Sequence, residues 1–433
     1  MPFQSPDIIP ERLRTYKLHL KTFRKEISDI KLLSKGGNPI KKSLKEVTNK
    51  LILDLDQKIR DIESTNNERI KTNISKACII SLEEYFVFGE KLLKDSYFIQ
   101  TDHTNIGQEL YYFVQYILDD FEKFPITIVI GKHPSLMTFN FWDILTLLLK
   151  PFFETSRYII EQKEKNKIWV IDVPQSLLRN PLNWSLILHE IGHIFEFEYI
   201  KAVETEFENR RNEMEHLSSE VRIILQRHAE EYQADVFATL YLGPVYPKIL
   251  NLNYYTNEIN MPGSHPDWDE RLNLLRSENI NDLIISSIKK NYSCVGFIEG
   301  EYKNDSLVKA NMILPLQNIM IKTVKFMEES KAILNFNHFR ESLAEEAIQN
   351  IFPFTKDPRF VLNAACIESV YSAAKELFSK QLKETSEFNG TSEISLEINR
   401  LLAESIRLAY ISRHYGKWEY RGSQQKLQIS SIK

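Results

Sequence analysis

Apolar side chains recur at alternating three- and four-residue steps through the first sixty positions. Leu13, Tyr16, Leu20, Phe23, Ile27 and Ile30 form one series; Leu44, Val47, Leu51, Leu55, Ile59 and Ile62 form a second. Such spacing puts one apolar stripe on each helix and suits two helices packed along a seam. Gly36, Gly37, Asn38 and Pro39 interrupt the pattern, so residues 11–64 read as a helical hairpin. Another helix is expected over Ile106–Phe121, with Leu110, Phe113, Val114, Ile117 and Leu118 on one side. Short β-branched runs at Ile126–Ile130 and Ile168–Val173 read as strands. Asn180 before Pro181 marks a helix start, an N-cap followed by the first helical position. From about Asp305 the pattern is helical, with segments near 306–333, 337–351, 358–383 and 393–413. The expected fold class is α+β, predominantly α-helical with a small sheet. Three regions follow: N-terminal helices over 1–98, a central domain over 99–295 and C-terminal helices over 296–433.

Composition narrows the function. With 43% hydrophobic and 26% charged residues the chain is ordinary globular material. A formal net charge of -4 suggests no polyanionic partner, so nucleic acid is not expected. Residues 1–60 hold 14 lysines and arginines against 7 acidic residues; a solvated basic helix face is preferred over a docking surface for an acidic partner. Cys78, Cys294 and Cys366 are far apart and odd in number, which suits a reducing compartment better than a disulfide framework. The first residues have no apolar signal core. The most apolar window, Phe139–Phe153, is interrupted by Asp143, Lys150 and Pro151. No membrane insertion is expected, and the location expected is cytoplasmic.

The chemistry concentrates in His189-Glu190-Ile191-Gly192-His193, an HExxH sequence on the helix after Asn180. Residues four apart share a helical face, so the two imidazoles can hold one metal ion. Glu190 can take a proton from metal-bound water, and Gly192 would suit a wall lying close to metal or substrate. Trp184, Leu186, Ile187, Leu188, Ile191, Ile194 and Phe195 make the rest of the helix apolar. Buried imidazoles need a partner there, and a ligated ion supplies one. A third ligand is expected downstream, in His228-Ala229-Glu230-Glu231-Tyr232-Gln233-Ala234-Asp235. Glu231 is preferred, with Asp235 one turn on to orient a ligand histidine. Glu230 is the competing ligand; His228 and Tyr232 are read mainly as packing or supporting residues.

HEIGH followed by EYQADVFA resembles the gluzincin pattern HExxH…ExxAD, most closely that of the CAAX prenyl protease and HtpX-type heat-shock protease family. Ser264-His265-Pro266, followed by Arg271, is similar to that family's SHPxxxxR segment. The resemblance covers roughly residues 165–278. It implies a zincin-like metallopeptidase core with one zinc per chain on His189, His193 and Glu231. Glu190 would be the general base and acid, and His265 the oxyanion partner. Asp235 would orient a ligand, and Arg271 would have a supporting role. Ile168–Val173 would be the edge strand that pairs with an extended substrate. The implied substrate is a peptide or protein. That family is typically membrane-embedded, so its prenyl-peptide substrates do not transfer. The ExxAD helix also resembles the ImmA/IrrE-type regulatory proteases, which cleave repressors. A non-catalytic metal-binding sensor or scaffold is a third reading. In a regulated peptidase the helical flanks would bind a regulatory partner or hold the cleft closed.

Overall fold

The computed structural model describes residues 8–30, 37–101, 107–215, 218–243, 245–254, 266, 271–272, 275, 313–333, 357–365 and 391–415. Among these residues the fold is predominantly helical with one three-stranded sheet. None of their helices is long and apolar enough to cross a membrane. The chain divides into two compact units: Met1–Tyr111 with Pro125–Gln175, and Tyr112–Phe124 with Ser176–Lys433. This grouping differs from the three consecutive regions expected, because the strands fold with the N-terminal helices.

In the first unit α1 (Ile8–Asp29), α2 (Gly37–Ser64) and α3 (Glu68–Thr101) pack on one another. The stripe residues do what their spacing predicts. Leu13, Leu20, Phe23 and Ile27 meet Leu44, Val47, Leu51, Leu55, Ile59 and Ile62 in one core, with Tyr16 and Ile30 at its edge. The hairpin is extended by α3, which adds Cys78, Leu82 and Tyr85 to that core. At Gly89 a Cβ would come within 2.8 Å of the Phe23 ring, so a bare backbone is what lets α3 approach α1.

The helix expected from residue 106 is α4 (Gly107–Asp120). The sheet then runs β1 (Thr127–Lys132) and β2 (Met137–Asn140), followed by α5 (Phe141–Leu148), α6 (Phe153–Lys165) and β3 (Ile168–Val173). Strand order is β1-β3-β2, with β3 parallel to β1 and antiparallel to β2. This corrects the expectation of a substrate-pairing edge strand: β3 is the central strand and both of its sides are occupied. Its burial says the same, since all six residues are buried where an edge strand facing water would alternate. Gly131 lies opposite Asp172, and a Cβ there would stand 1.8 Å from the Asp172 carboxylate. Lys91 of α3 pairs with that buried carboxylate at 3.0 Å. Asp54 of α2 accepts a hydrogen bond from the Thr155 N–H at 3.0 Å, capping α6, whose own N-cap makes no side-chain bond.

In the second unit the short α7 (Gln175–Leu178) and a 3-10 turn (Pro181–Trp184) lead into α8 (Ser185–Phe195). A π-helical turn (Glu196–Ile200) then leads to α9 (Ala202–Asn209). The long α10 (Ser219–Leu242) packs against α8 and α9, and α11 (Val245–Tyr254) packs against both α8 and α10. The C-terminal helices are α12 (Ile313–Glu329), α13 (Pro358–Ala365) and α14 (Thr391–Tyr415). α12 and α13 lie inside the expected segments 306–333 and 358–383, and α14 spans the expected 393–413; 337–351 lies outside the described residues. Phe121 anchors the aromatic core, with ring centroids 4.5 Å from Phe195, 5.6 Å from Phe237 and 5.8 Å from Phe326.

Candidate metal centre

The site begins with how α8 is launched. Asn180 caps as expected, its side-chain oxygen accepting from the Leu182 N–H at 3.2 Å. The first turn is a 3-10 turn, however, and the α-helix proper starts at Ser185. Trp184, at the end of the 3-10 turn, and Ile187, Leu188, Ile191, Ile194 and Phe195 on α8 are buried, as the apolar pattern implied.

Gly192 has a different role from the one expected. It faces α10, not a metal or substrate: a Cβ at this position would stand 3.0 Å from the Ala234 Cα and 3.2 Å from its carbonyl oxygen. The missing side chain brings two helix backbones together, so that groups on α8 and α10 can converge.

The convergence is tight. His189 Nε2 and His193 Nε2 are 3.0 Å apart. Glu231 on α10 reaches both, with one oxygen 3.2 Å from His189 Nε2 and the other 3.4 Å from His193 Nε2. Ligand atoms from these three residues all lie within 4.8 Å of one another, and among the described residues no other such group of His, Cys, Asp or Glu is present. Neither His228 nor Glu230 joins it; Glu230 accepts from the Gln226 side chain at 3.1 Å. Two imidazole nitrogens and a carboxylate oxygen, drawn from two helices and largely shut off from water, fit a divalent transition-metal ion with room for a further ligand.

A second tier fixes the first. Asp235 Oδ1 lies 2.9 Å from His189 Nδ1. Arg271 donates to both Asp235 oxygens at 2.7 Å and approaches Glu231 at 3.3 Å. Asp235 thus lies against His189, and Arg271 ties that carboxylate to the third member of the cluster. Glu190 lies next to His189 on α8 and is half-buried. His265 lies outside the described residues; of Ser264-His265-Pro266 only Pro266, buried, is described.

Sequence reasoning missed Tyr246. It is fully buried on α11 and donates its hydroxyl to Asp235 Oδ1 at 2.6 Å, with the same oxygen 3.2 Å from His189 Nδ1. Its ring lies nearly parallel to the His189 imidazole. No motif marks it, because its role depends on how α11 returns to α8.

Electrostatics follow this geometry. Burial would lower the His189 pKa, but Asp235 and Glu231 outweigh it and push it up to about 10. Burial would raise the Glu231 pKa, yet His189, His193 and Arg271 hold it well below the ordinary carboxylate value. Asp235 is likewise held low despite its burial, chiefly by Arg271. Burial and Asp235 keep the Tyr246 phenol neutral. A cation at this cluster competes with a proton for His189 Nε2, as at any imidazole ligand.

The far end of α8 carries another buried acid. Glu196 accepts from the Val203 N–H at 2.6 Å and so caps α9, whose Lys201 N-cap supplies no side-chain bond. Burial, helped by nearby Glu230 and opposed by the Val203 N–H, pushes the Glu196 pKa up to about 7.

No protein family, curated protein or solved structure matches this chain.

Proposed function

We propose that the chain is a zinc-dependent peptidase, a gluzincin-like enzyme in which α8 and α10 form the zincin helix pair. One observation carries the reading: two imidazoles from one helix and a carboxylate from another meet within ligand distance, with an oriented aspartate behind the first imidazole. The proposal rests on this donor set and not on the sheet, since β3 offers no free edge for a substrate strand.

His189, His193 and Glu231 would hold the ion. Bound there, zinc supplies Lewis acidity towards water and the scissile carbonyl. Asp235 accepts the His189 Nδ1 proton, leaving Nε2 as the ligating atom. Glu190 accepts a proton from the attacking water and returns it to the departing amine nitrogen, the two halves of general base and acid catalysis. His265 is assigned the oxyanion-stabilising role by its motif. The substrate class is a peptide or protein.

The test combines metal content with one substitution. Purified protein should carry about one zinc per chain, and Glu190→Gln should retain it while losing hydrolysis of a casein or peptide-library substrate by about 100-fold or more. Zinc-free wild-type protein with no affinity for added zinc removes the metal reading. Equal hydrolysis by the two proteins removes Glu190 as the base.

A further inference from the structure

A phenol has one hydrogen to give, and Tyr246 has two neighbours that could take it. The Asp235 Oδ1 acceptor is at 2.6 Å and His189 Nδ1 at 3.2 Å. The two choices have opposite consequences. Donation to His189 Nδ1 would make that nitrogen the acceptor and place the imidazole hydrogen on Nε2, the atom facing His193 and Glu231. In that tautomer Nε2 has no lone pair to offer a metal. Donation to Asp235 turns the phenol oxygen's lone pairs towards His189 Nδ1.

The geometry favours the second choice. Asp235 is an anion held by Arg271 through both its oxygens at 2.7 Å, and the shorter contact runs to it. A hydrogen bond to an ionised acceptor is the stronger of the two available. With Tyr246 donating to Asp235, His189 Nδ1 faces two acceptor oxygens, the carboxylate at 2.9 Å and the phenol at 3.2 Å. A hydrogen is then required on Nδ1, and any second proton sits on Nε2, where a metal ion displaces it to reach the lone pair.

We infer that Tyr246 is a positioning residue of the metal centre: its hydroxyl, acting with Asp235, fixes His189 in the Nδ1–H form and holds the ring in ligating orientation. This rests on the metal reading proposed above. Three helices then build the centre, with α11 contributing no ligand but setting the state of one. Outer groups of this kind usually change metal affinity by about 10- to 100-fold.

Tyr246→Phe keeps the buried ring and removes only the oxygen. Zinc affinity would be measured by chelator competition, cobalt-substituted absorption spectra would report ligand geometry, and urea unfolding of the metal-free protein would report packing. The expected result is zinc binding weakened about 10-fold or more, with a shifted cobalt spectrum and a folded metal-free protein. Unchanged zinc affinity and an unchanged cobalt spectrum overturn the inference. Should Tyr246→Phe fail to fold, NMR of the zinc-loaded wild type decides. A cross-peak between the Tyr246 hydroxyl proton and the His189 Nδ1 proton supports the inference, and its absence overturns it. Wild-type protein that binds no zinc defeats the metal reading itself, an outcome separate from wild-type binding that the variant matches.

Discussion

Glu230 and Glu231 are adjacent carboxylates with opposite surroundings. Glu231 meets two imidazoles and Arg271, whereas Glu230 meets the Gln226 amide. Glu231→Ala should therefore weaken zinc binding by more than about 100-fold, beyond what outer groups carry, while Glu230→Ala changes it little. Chelator competition on both variants checks this; equal losses would contradict the ligand assignment. Glu196 gives a second test at this scale. Its folded pKa of about 7 stands above its ordinary 4.5, so the native state binds the extra proton. The associated stability is full below about 4.5 and is lost as pH rises through about 7, on the order of 3 kcal/mol in all. Urea unfolding across that interval should show the decline, and Glu196→Gln should flatten it. A wild-type profile with no such decline would count against a buried, proton-holding Glu196.

The secondary-structure elements show where the sequence could be read and where it could not. HExxH is legible because helical geometry alone puts residues four apart on one face, and Glu231 with Asp235 repeats that logic on α10. Tyr246 is illegible because nothing local fixes where α11 packs. β2 is only four residues long, and its pairing with β3 reaches across α5 and α6, so no periodicity announces it. The central position of β3 was available in its six apolar-rich residues, which read as a strand buried on both faces. Gly192 was visible as a residue but not as a contact. Gly192→Ala should force α8 from α10, costing about 1–3 kcal/mol of stability by overpacking and weakening zinc binding with it. Urea midpoints and chelator competition test the pair; a variant of wild-type stability and affinity would show that the helices do not need their close approach.

For the whole molecule, the path of the chain between its two units decides what can be removed. The core of the first unit joins α1, α2 and α3 to Phe141, Trp142, Phe152, Ile168 and Val170. Deleting residues 1–98 to release a restrained peptidase would strip the sheet of its helical cover. The shortened protein should expose apolar surface, bind a hydrophobic dye and aggregate. A monodisperse, dye-negative product would overturn this. Regulation by the flanks is better tested with point changes on exposed helix faces, which leave both cores whole.

The same path bears on synthesis. Tyr112–Phe124 belongs to the second unit yet leaves the ribosome before Pro125–Gln175 completes the first. Phe113 and Phe121 must then wait for Trp184, Phe195 and Phe237 to be translated before their rings are covered. A nascent chain paused between residues 125 and 184 displays a greasy segment whose ring partners are still to come, which is a natural place for a chaperone to bind.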